Sequence, residues 1–408
     1  MQHLLIIGHT IPEPTTTAAG TRMLQLISLF KEAGYTITFG STAAIGEYSQ
    51  NLDILGVSWQ PLELNSDSFN QFIEELNPSV VLFDRYITEE QFGWRVAEVC
   101  PSALRILDTE DLHFLRKARQ EAFKKSISIS NSNLYTETAK RELASILRCD
   151  LSLIISEVEL TLLKDNFKIP EALLYYLPFL VDTTTLSKTP SFDERKDFMC
   201  IGNFLHAPNE DAVLHLKQDI WPKIRQHLPG ARLHVFGGYA KQKIKQLHNE
   251  ADGFLIKGWA PSVEDVMENT KVNLAPLRYG AGLKGKLLDA MHYGLPSVTT
   301  PIGAEGMHGS LPFGGLIATS IYDFVKASVT LYTNKAAWET AKLNGQQILQ
   351  DRFSKQLFSE DFINRVQQLS ETLQEHRNSH FIGQVLQHST LQSHKYLSKW
   401  IEAKNKNK

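Results

Sequence analysis

"RYGAGLKGKLLDAMHYGLPSVTT", Arg278–Thr300, joins a strand to a helix and the helix to the next strand, and its charges gather at the first joint. The residues before it, "KVNLAPL" (Lys271–Leu277), read as a strand. Gly280 and Gly282 flank Ala281 and tolerate a tight turn that leaves backbone N–H groups exposed. Lys284 and Lys286 fall in or just before the first turn of a helix over Leu287–Tyr293. Cations there oppose the helix dipole, and a bound anion offsets that cost while accepting the free N–H groups. Leu287, Leu288 and Met291 form a sheet-facing stripe. Asp289 lies off the stripe, placed to accept hydrogen bonds from vicinal hydroxyls. Gly294-Leu295-Pro296 stops the helix, and "PSVTT" (Pro296–Thr300) is the returning strand. The unit suits an anion plus a polyol, that is, a nucleotide diphosphate with its ribose. The competing reading is a routine αβ crossover with two surface lysines. The stretch is not a phosphate loop of the GxxxxGK[ST] type.

The same strand-helix alternation runs along the chain. Strands are expected at Leu4–Ile7, Tyr35–Gly40, Val80–Phe83, Leu104–Leu107 and Leu151–Ile155. A polar break, Leu180–Asp197, follows. The alternation restarts with Phe198–Asn203, Ala231–Gly238, Gly253–Gly258, Lys271–Leu277 and Pro296–Thr300. Such βαβ series assemble as parallel sheets covered on both faces. The expected fold is therefore α/β with two Rossmann-like domains, residues 1–185 and 196–352, whose parallel sheets face an interdomain cleft. A helical tail, 353–408, packs back across the domains. Ligands of open α/β sheets bind at the carboxyl edges of the strands, which here means the cleft.

Composition sets limits on the class. The chain has 408 residues, 42% hydrophobic and 21% charged, with a formal net charge of -3. That balance excludes a general nucleic-acid binder, which carries a basic excess. The three cysteines, Cys100, Cys149 and Cys200, form no CxxC pair, so neither a disulfide framework nor a zinc knuckle is expected, and a reducing compartment fits. The run Leu4–Ile7 is too short for a signal peptide or a membrane span. A cytoplasmic location follows, with peripheral contact at the inner face of the membrane left open.

"APLRYGAGLKGKLLDAMHYGLPSVTTPIGAEGM" (Ala275–Met307) resembles the donor-site segment of the GT-B glycosyltransferases called group 1, or family 4. The similarity extends to "FMCIGNFLHAPNEDAV", "LPGARLHVFGG" and "ISEVE", and it points to the branch with a GAGxKxK donor loop. The resemblance implies a retaining, metal-independent transferase without a cofactor. It takes a nucleotide diphosphate sugar as co-substrate and passes the sugar to a carbohydrate or lipid-linked acceptor, as in polysaccharide biosynthesis. A nucleotide-sugar epimerase of the same fold and a non-catalytic scaffold in polysaccharide assembly are the alternatives.

Asp289 takes the place of the family's second acid, which holds the ribose. The first acid has no equivalent, since position 281 is alanine. Glu305, bracketed by Gly303 and Gly306, reads either as a partial replacement at the donor sugar or as part of a glycine-flanked surface turn. The loop Asn203–His206 lacks the family's basic residue for the diphosphate, and Arg278 and Lys284 are the substitutes, beside Gly280 and Gly282. Near the N-terminus Gly20 matches the second glycine of a phosphate-facing loop, with Arg22 in the helical turn after it. The densest polar cluster follows strand Leu104–Leu107, with Asp108, Glu110, Asp111, His113, Arg116 and Arg119. Family members commonly carry a histidine after an equivalent strand; His113 is the catalytic candidate by chemistry, Glu110 the alternative by register against the family, and Asp111 stands beside them. A solvated acidic helix cap is the competing reading. Asp108, Glu110 and Asp111 have no second ligand set at metal spacing, so no metal is expected. Asp84-Arg85, at another strand end, reads either as acceptor recognition or as a structural ion pair.

Overall fold

The computed structural model describes residues 2–185 and 189–406. Seven strands make the first sheet: β1 (His3–Gly8), β2 (Thr36–Ser41), β3 (Ser58–Pro61), β4 (Val80–Asp84), β5 (Leu104–Asp108), β6 (Leu151–Ile154) and β7 (Leu174–Tyr176). Six make the second: β8 (Lys196–Ile201), β9 (Leu233–Phe236), β10 (Phe254–Gly258), β11 (Thr270–Ala275), β12 (Ser297–Thr299) and β13 (Gly315–Ile317). Their orders are β3-β2-β1-β4-β5-β6-β7 and β10-β9-β8-β11-β12-β13. Neighbouring strands pair in parallel, Leu4 opposite Val80 and Asn273 opposite Ser297, for example. Helices cover both faces, so the central strands need no polar side. Leu4, Leu5, Ile6 and Ile7 are all fully buried, and burial of each such side chain is worth about 1.5–3 kcal/mol.

Three strands lie outside the sequence expectation: β3, β7 and β13. All are sheet edges, and "SWQP", "LYY" and "GLI" are too short to show a period of two. Pairing with an already formed neighbour makes them strands, a tertiary effect that local pattern does not carry.

Each sheet changes winding direction beside its first strand, between β1 and β4 and between β8 and β11. Those two switch points open crevices at the carboxyl ends of the strands, and they face one another. Of the polar break Leu180–Asp197, residues 186–188 lie outside the described residues. The chain returns beside the outgoing segment: Val181 N–H donates to Phe353 O at 2.7 Å, and Lys355 N–H donates to Val181 O at 2.9 Å.

The tail forms helices Ser359–Glu371, Leu373–Ser379 and Phe381–Lys406. Residues 407–408, the end of the basic "KNKNK", lie outside the described residues. Phe362, Val366 and Leu369 enter the core of the first domain with Leu26 and Phe30, and the Phe30 and Phe362 rings meet edge to face at 5.6 Å. Arg377 grips Asp150 through two hydrogen bonds of 2.8 Å. The last 50 or so residues are thus built into the first domain rather than the second. Among the described residues no helix is long and apolar enough to cross a membrane.

Candidate active site

A cavity of about 780 Å³ lies between the two switch points, with walls from both domains. From the second domain come the loop after β8 (Gly202, Asn203, Leu205, His206), the turn after β9 (Gly237–Tyr239), Leu277, and Tyr279–Lys286 with Asp289. From the first come His9, Thr10, Glu13–Ala19, Arg85, Glu110, Asp111, His113 and Arg116. At one edge Tyr239 donates to Glu13 and the Trp259 indole to Thr15 O, with Tyr48 packed on both rings.

The glycine loop is held by the opposite domain. Gly282 sits at φ +61, and a Cβ there would lie 2.7 Å from Asp111 Cβ; at Gly285 a Cβ would lie 2.6 Å from Ala18 Cβ. Only glycine permits both the left-handed turn and this approach. Glu159 Oε1 accepts from Gly282 N–H at 2.8 Å and from Leu112 N–H at 3.1 Å, joining the domains through one buried carboxyl. Burial pushes Glu159 up to about 8. Arg119 adds a second tie, donating to Gly280 O at 2.8 Å.

Lys284 is the N-cap of helix Gly285–His292. Its ammonium donates to the carbonyls of Ala281 and Gly282, and Lys286 donates to Asn209 Oδ1. Neither has a carboxylate within ion-pair distance among the described residues. Burial pushes Lys284 down to about 8, against the pull of Glu305 and Glu159, and lowers Lys286 as well. Asp289 is reached by solvent from the cavity yet enclosed by protein beyond it, and this desolvation pushes it up to about 7. Two cations without carboxylates and a lone carboxyl share one wall.

The opposite wall is more fully paired. His113 is the first residue of helix His113–Lys124, and its N–H and that of Phe114 both donate to Glu142. Nδ1 lies 3.1 Å from Asp111 O; a carbonyl only accepts, so Nδ1 carries hydrogen there and Nε2 is the acceptor of the neutral ring. Asp111 is bidentate with Arg116. Burial opposes its charge, but Arg116, His113 and His206 outweigh that and hold the carboxyl well below the usual range. Glu110, at φ +59, has Oε1 buried without a hydrogen-bond partner, and burial pushes it up to about 8 against the attraction of Arg85. From the second domain His206 faces Asp111 and Arg116, and burial brings it down to about 4.

His113, Glu110, Asp111, Gly280, Gly282, Lys284 and Asp289 thus meet in one cavity. Four expected residues do not line it. Arg22 is fully buried, bonded to Asp108 at 2.9 and 3.0 Å and to the carbonyls of Leu177 and Pro178. Gly20 lies against the backbone of Glu13, so its missing Cβ serves packing. Arg278 turns from the cavity to Asp211, at 2.6 and 2.9 Å, and lies over the Phe123 ring. Glu305 is bidentate with Arg119 at 2.7 and 2.9 Å. For the three charged residues a partner far away in sequence draws the side chain off, and Gly20 packs on the nearby backbone of Glu13. Lys286 joins Lys284 in the cavity as the second cation of the helix entry, whereas Glu159 and Asn209 were not among the expected site residues. "ISEVE" contains Glu159, but nothing local marks it as the loop's anchor.

Residues 195–334 match the family model of group 1 glycosyl transferases. A comparison with curated protein sequences returns no match. Among solved structures, WaaG, a glycosyltransferase involved in lipopolysaccharide biosynthesis, is 11% identical with a TM-score of 0.62, over 89% of this chain and 99% of that one. HepE from Anabaena, in complex with UDP-glucose, is 13% identical at 0.66, over 92% and 100%. A S. aureus TarM mutant in complex with UDP, fondaparinux and alpha-GlcNAc-glycerol is 14% identical at 0.57; the match covers 73% of this chain and 58% of that one. At these identities the structures establish the architecture, two Rossmann-like domains of the GT-B type, while the family model speaks for the second domain. The chain has the two-domain GT-B architecture, and the second of its domains, residues 195–334, is the part that matches the group 1 glycosyl transferases.

Proposed function

We propose that the protein is a retaining, metal-independent glycosyltransferase that moves a sugar from a nucleotide diphosphate sugar to a carbohydrate or lipid-linked acceptor. The observation that carries this reading is the pair Lys284 and Lys286, desolvated, facing the cavity and without a carboxylate partner, with Asp289 farther along the same helix. A diphosphate between the glycine loop and the two ammonium groups gains charge-assisted hydrogen bonds. The ribose hydroxyls donate to Asp289. The same cations stabilise charge on the departing diphosphate, the task a metal ion performs elsewhere. Among the described residues no group of three or more His, Cys, Asp or Glu is arranged to hold a metal ion.

The state of the carboxyls bears on the route by which configuration is kept. A double displacement, which also retains configuration, needs a free, ionised carboxylate as nucleophile. Asp111 is tied to Arg116, Glu110 is neutral near pH 7, and Asp289 is committed to the ribose. Attack from the leaving-group face, with the departing phosphate taking the acceptor's proton, makes no such demand. His113 then orients the donor sugar through Nε2. Closure of the two domains excludes water. The UDP in the HepE and TarM structures favours a uridine donor, and a cytoplasmic protein working at the inner membrane face fits a lipid-linked acceptor.

The test is a thermal-shift screen of UDP, GDP and their sugar forms, followed by anomeric analysis of the product in the presence of chelator. Stabilisation by a nucleotide diphosphate, with transfer that keeps the donor's anomeric configuration, is expected. Inversion, or loss of transfer on chelation, overturns the retaining or the metal-free part. Conversion of the donor without an acceptor would identify an epimerase.

A further inference from the structure

We propose that Arg85 is an anion-binding residue of the acceptor subsite, so that the acceptor carries a carboxylate or a phosphate next to the hydroxyl that is glycosylated. This rests on reading the cavity as a sugar-transfer site.

Arg85 follows β4 at the switch point of the first sheet and lines the cavity. Among the described residues its guanidinium donates no hydrogen bond. The nearest carboxylate is that of Asp84, with Nε 3.6 Å from Oδ1, beyond hydrogen-bond length. Asp84 Oδ2 meanwhile accepts from His9 N–H at 3.0 Å. The arginines around it are all engaged. Arg22 holds Asp108, Arg116 holds Asp111, and Arg119 holds Glu305. A planar fork of five donors, left open in a substrate cavity, matches the oxygens of a carboxylate or a phosphate.

The backbone supports the same assignment. Arg85 stands at φ +70 and Glu110 at φ +59, left-handed values for residues with side chains. Two such residues on one cavity wall, one with an unbonded guanidinium and one with an unbonded buried carboxyl oxygen, form a site held at a conformational cost. Glu110 does not satisfy Arg85 in advance, because burial keeps it largely protonated near pH 7. In that form it is a second donor toward an anion.

The donor's diphosphate is not the anion meant. The carboxyls that act on Arg85 are Asp84, Glu110, Asp111 and Asp108, all in the first domain. Lys284 stands at the start of helix Gly285–His292 in the second domain, and Asp111 is the one carboxyl that acts on both cations. The two cationic positions thus belong to opposite walls of one cavity, and the proposal assigns the first domain's to the acceptor and the second domain's to the donor.

The test uses the full chain saturated with UDP and titrates it calorimetrically with glucose, glucuronate and glucose 1-phosphate. Binding of one or both anionic sugars at least tenfold tighter than glucose is expected, and the one favoured tells carboxylate from phosphate. Arg85→Gln removes that preference and leaves UDP affinity within twofold, while Arg85→Lys restores only part of it. Should Arg85→Gln fail to fold, inorganic phosphate added to the parent protein must displace the anionic sugar at concentrations that leave UDP bound. Equal affinity for the three sugars, no detectable binding of either anion, an undiminished preference in folded Arg85→Gln, or displacement of UDP by phosphate at the same concentration overturns the proposal. Failure of UDP itself to bind sinks the donor reading instead.

Discussion

The two walls of the cavity use charge in opposite ways. On the first domain's side, Arg22–Asp108 and Arg116–Asp111 are closed pairs, and Glu142 already satisfies the helix N-terminus that starts at His113. On the second domain's side, Lys284 and Lys286 rest on neutral oxygens and Asp289 has no partner among the described residues. A paired charge positions its neighbours and is costly to disturb. An unpaired desolvated charge costs stability in the free protein and gains most when a ligand arrives. The first wall is therefore mainly a frame, with Arg85 and Glu110 as its open groups, and the second is mainly a receptor.

The largest effect should come from opening the frame. Removing one partner of a buried ion pair leaves an uncompensated charge, at a cost of about 3–5 kcal/mol. Arg22→Met should lower the unfolding free energy by that order in urea titrations, because Asp108 and the carbonyls of Leu177 and Pro178 lose their donor. An unchanged urea midpoint would return Arg22 to the list of free, ligand-facing cations.

Lys284→Ala should do the reverse. Stability stays level or rises, since a desolvated ammonium disappears, whereas UDP binds about 10- to 100-fold more weakly, by the roughly 1.5–3 kcal/mol of a charge-assisted contact. Uridine, which has no phosphate, should be nearly unaffected in the same calorimetric series. Equal losses for UDP and uridine would break the contrast between the walls.

A smaller, pH-dependent effect sharpens it. Hydroxyl donors prefer the Asp289 carboxylate, which is protonated below about 7. Phosphate prefers the Lys284 ammonium, which loses its proton above about 8. Affinity for a nucleotide diphosphate sugar should therefore rise with pH toward 7 and fall beyond 8. Asp289→Asn should flatten the acid limb and Lys284→Ala the alkaline one. A profile with both limbs intact in both variants would remove these two groups from the donor site.

The smallest effect marks the boundary of the receptor wall. Arg278→Ala, next to the glycine loop in sequence, should change UDP affinity by less than about twofold, because its fork is filled by Asp211. A loss as large as that of Lys284→Ala, measured in parallel, would show that the pair with Asp211 opens for the ligand.

What was legible beforehand follows the range of the interactions. The central strands announce themselves through runs such as "LLII", and the Gly280–Asp289 unit through spacing within one turn and one helix. Gly20 and Arg22 at a helix entry, and Arg278 and Glu305 just after strands, have the right residue types, which is all that local reading supplies. Their partners stand 67 to 186 positions away for the three charged residues. Sequence proximity says nothing about those distances. Glu159 shows the converse: it lies in a helix of ordinary composition, and only the folded chain brings it to both Leu112 and Gly282.

The adjacent crossings at Val181 and Phe353 have a consequence for synthesis on the ribosome. Translation runs from the amino end, and domains generally fold as units when their residues have emerged. Here Phe362, Val366 and Leu369, core residues of the first domain, emerge only after the whole second sheet has left the tunnel. The nascent first domain must wait with part of its interior uncovered while its younger neighbour finishes. Truncation before Phe362 should therefore damage the domain farthest away in sequence, exposing Leu26 and Phe30, and leave the second domain able to fold.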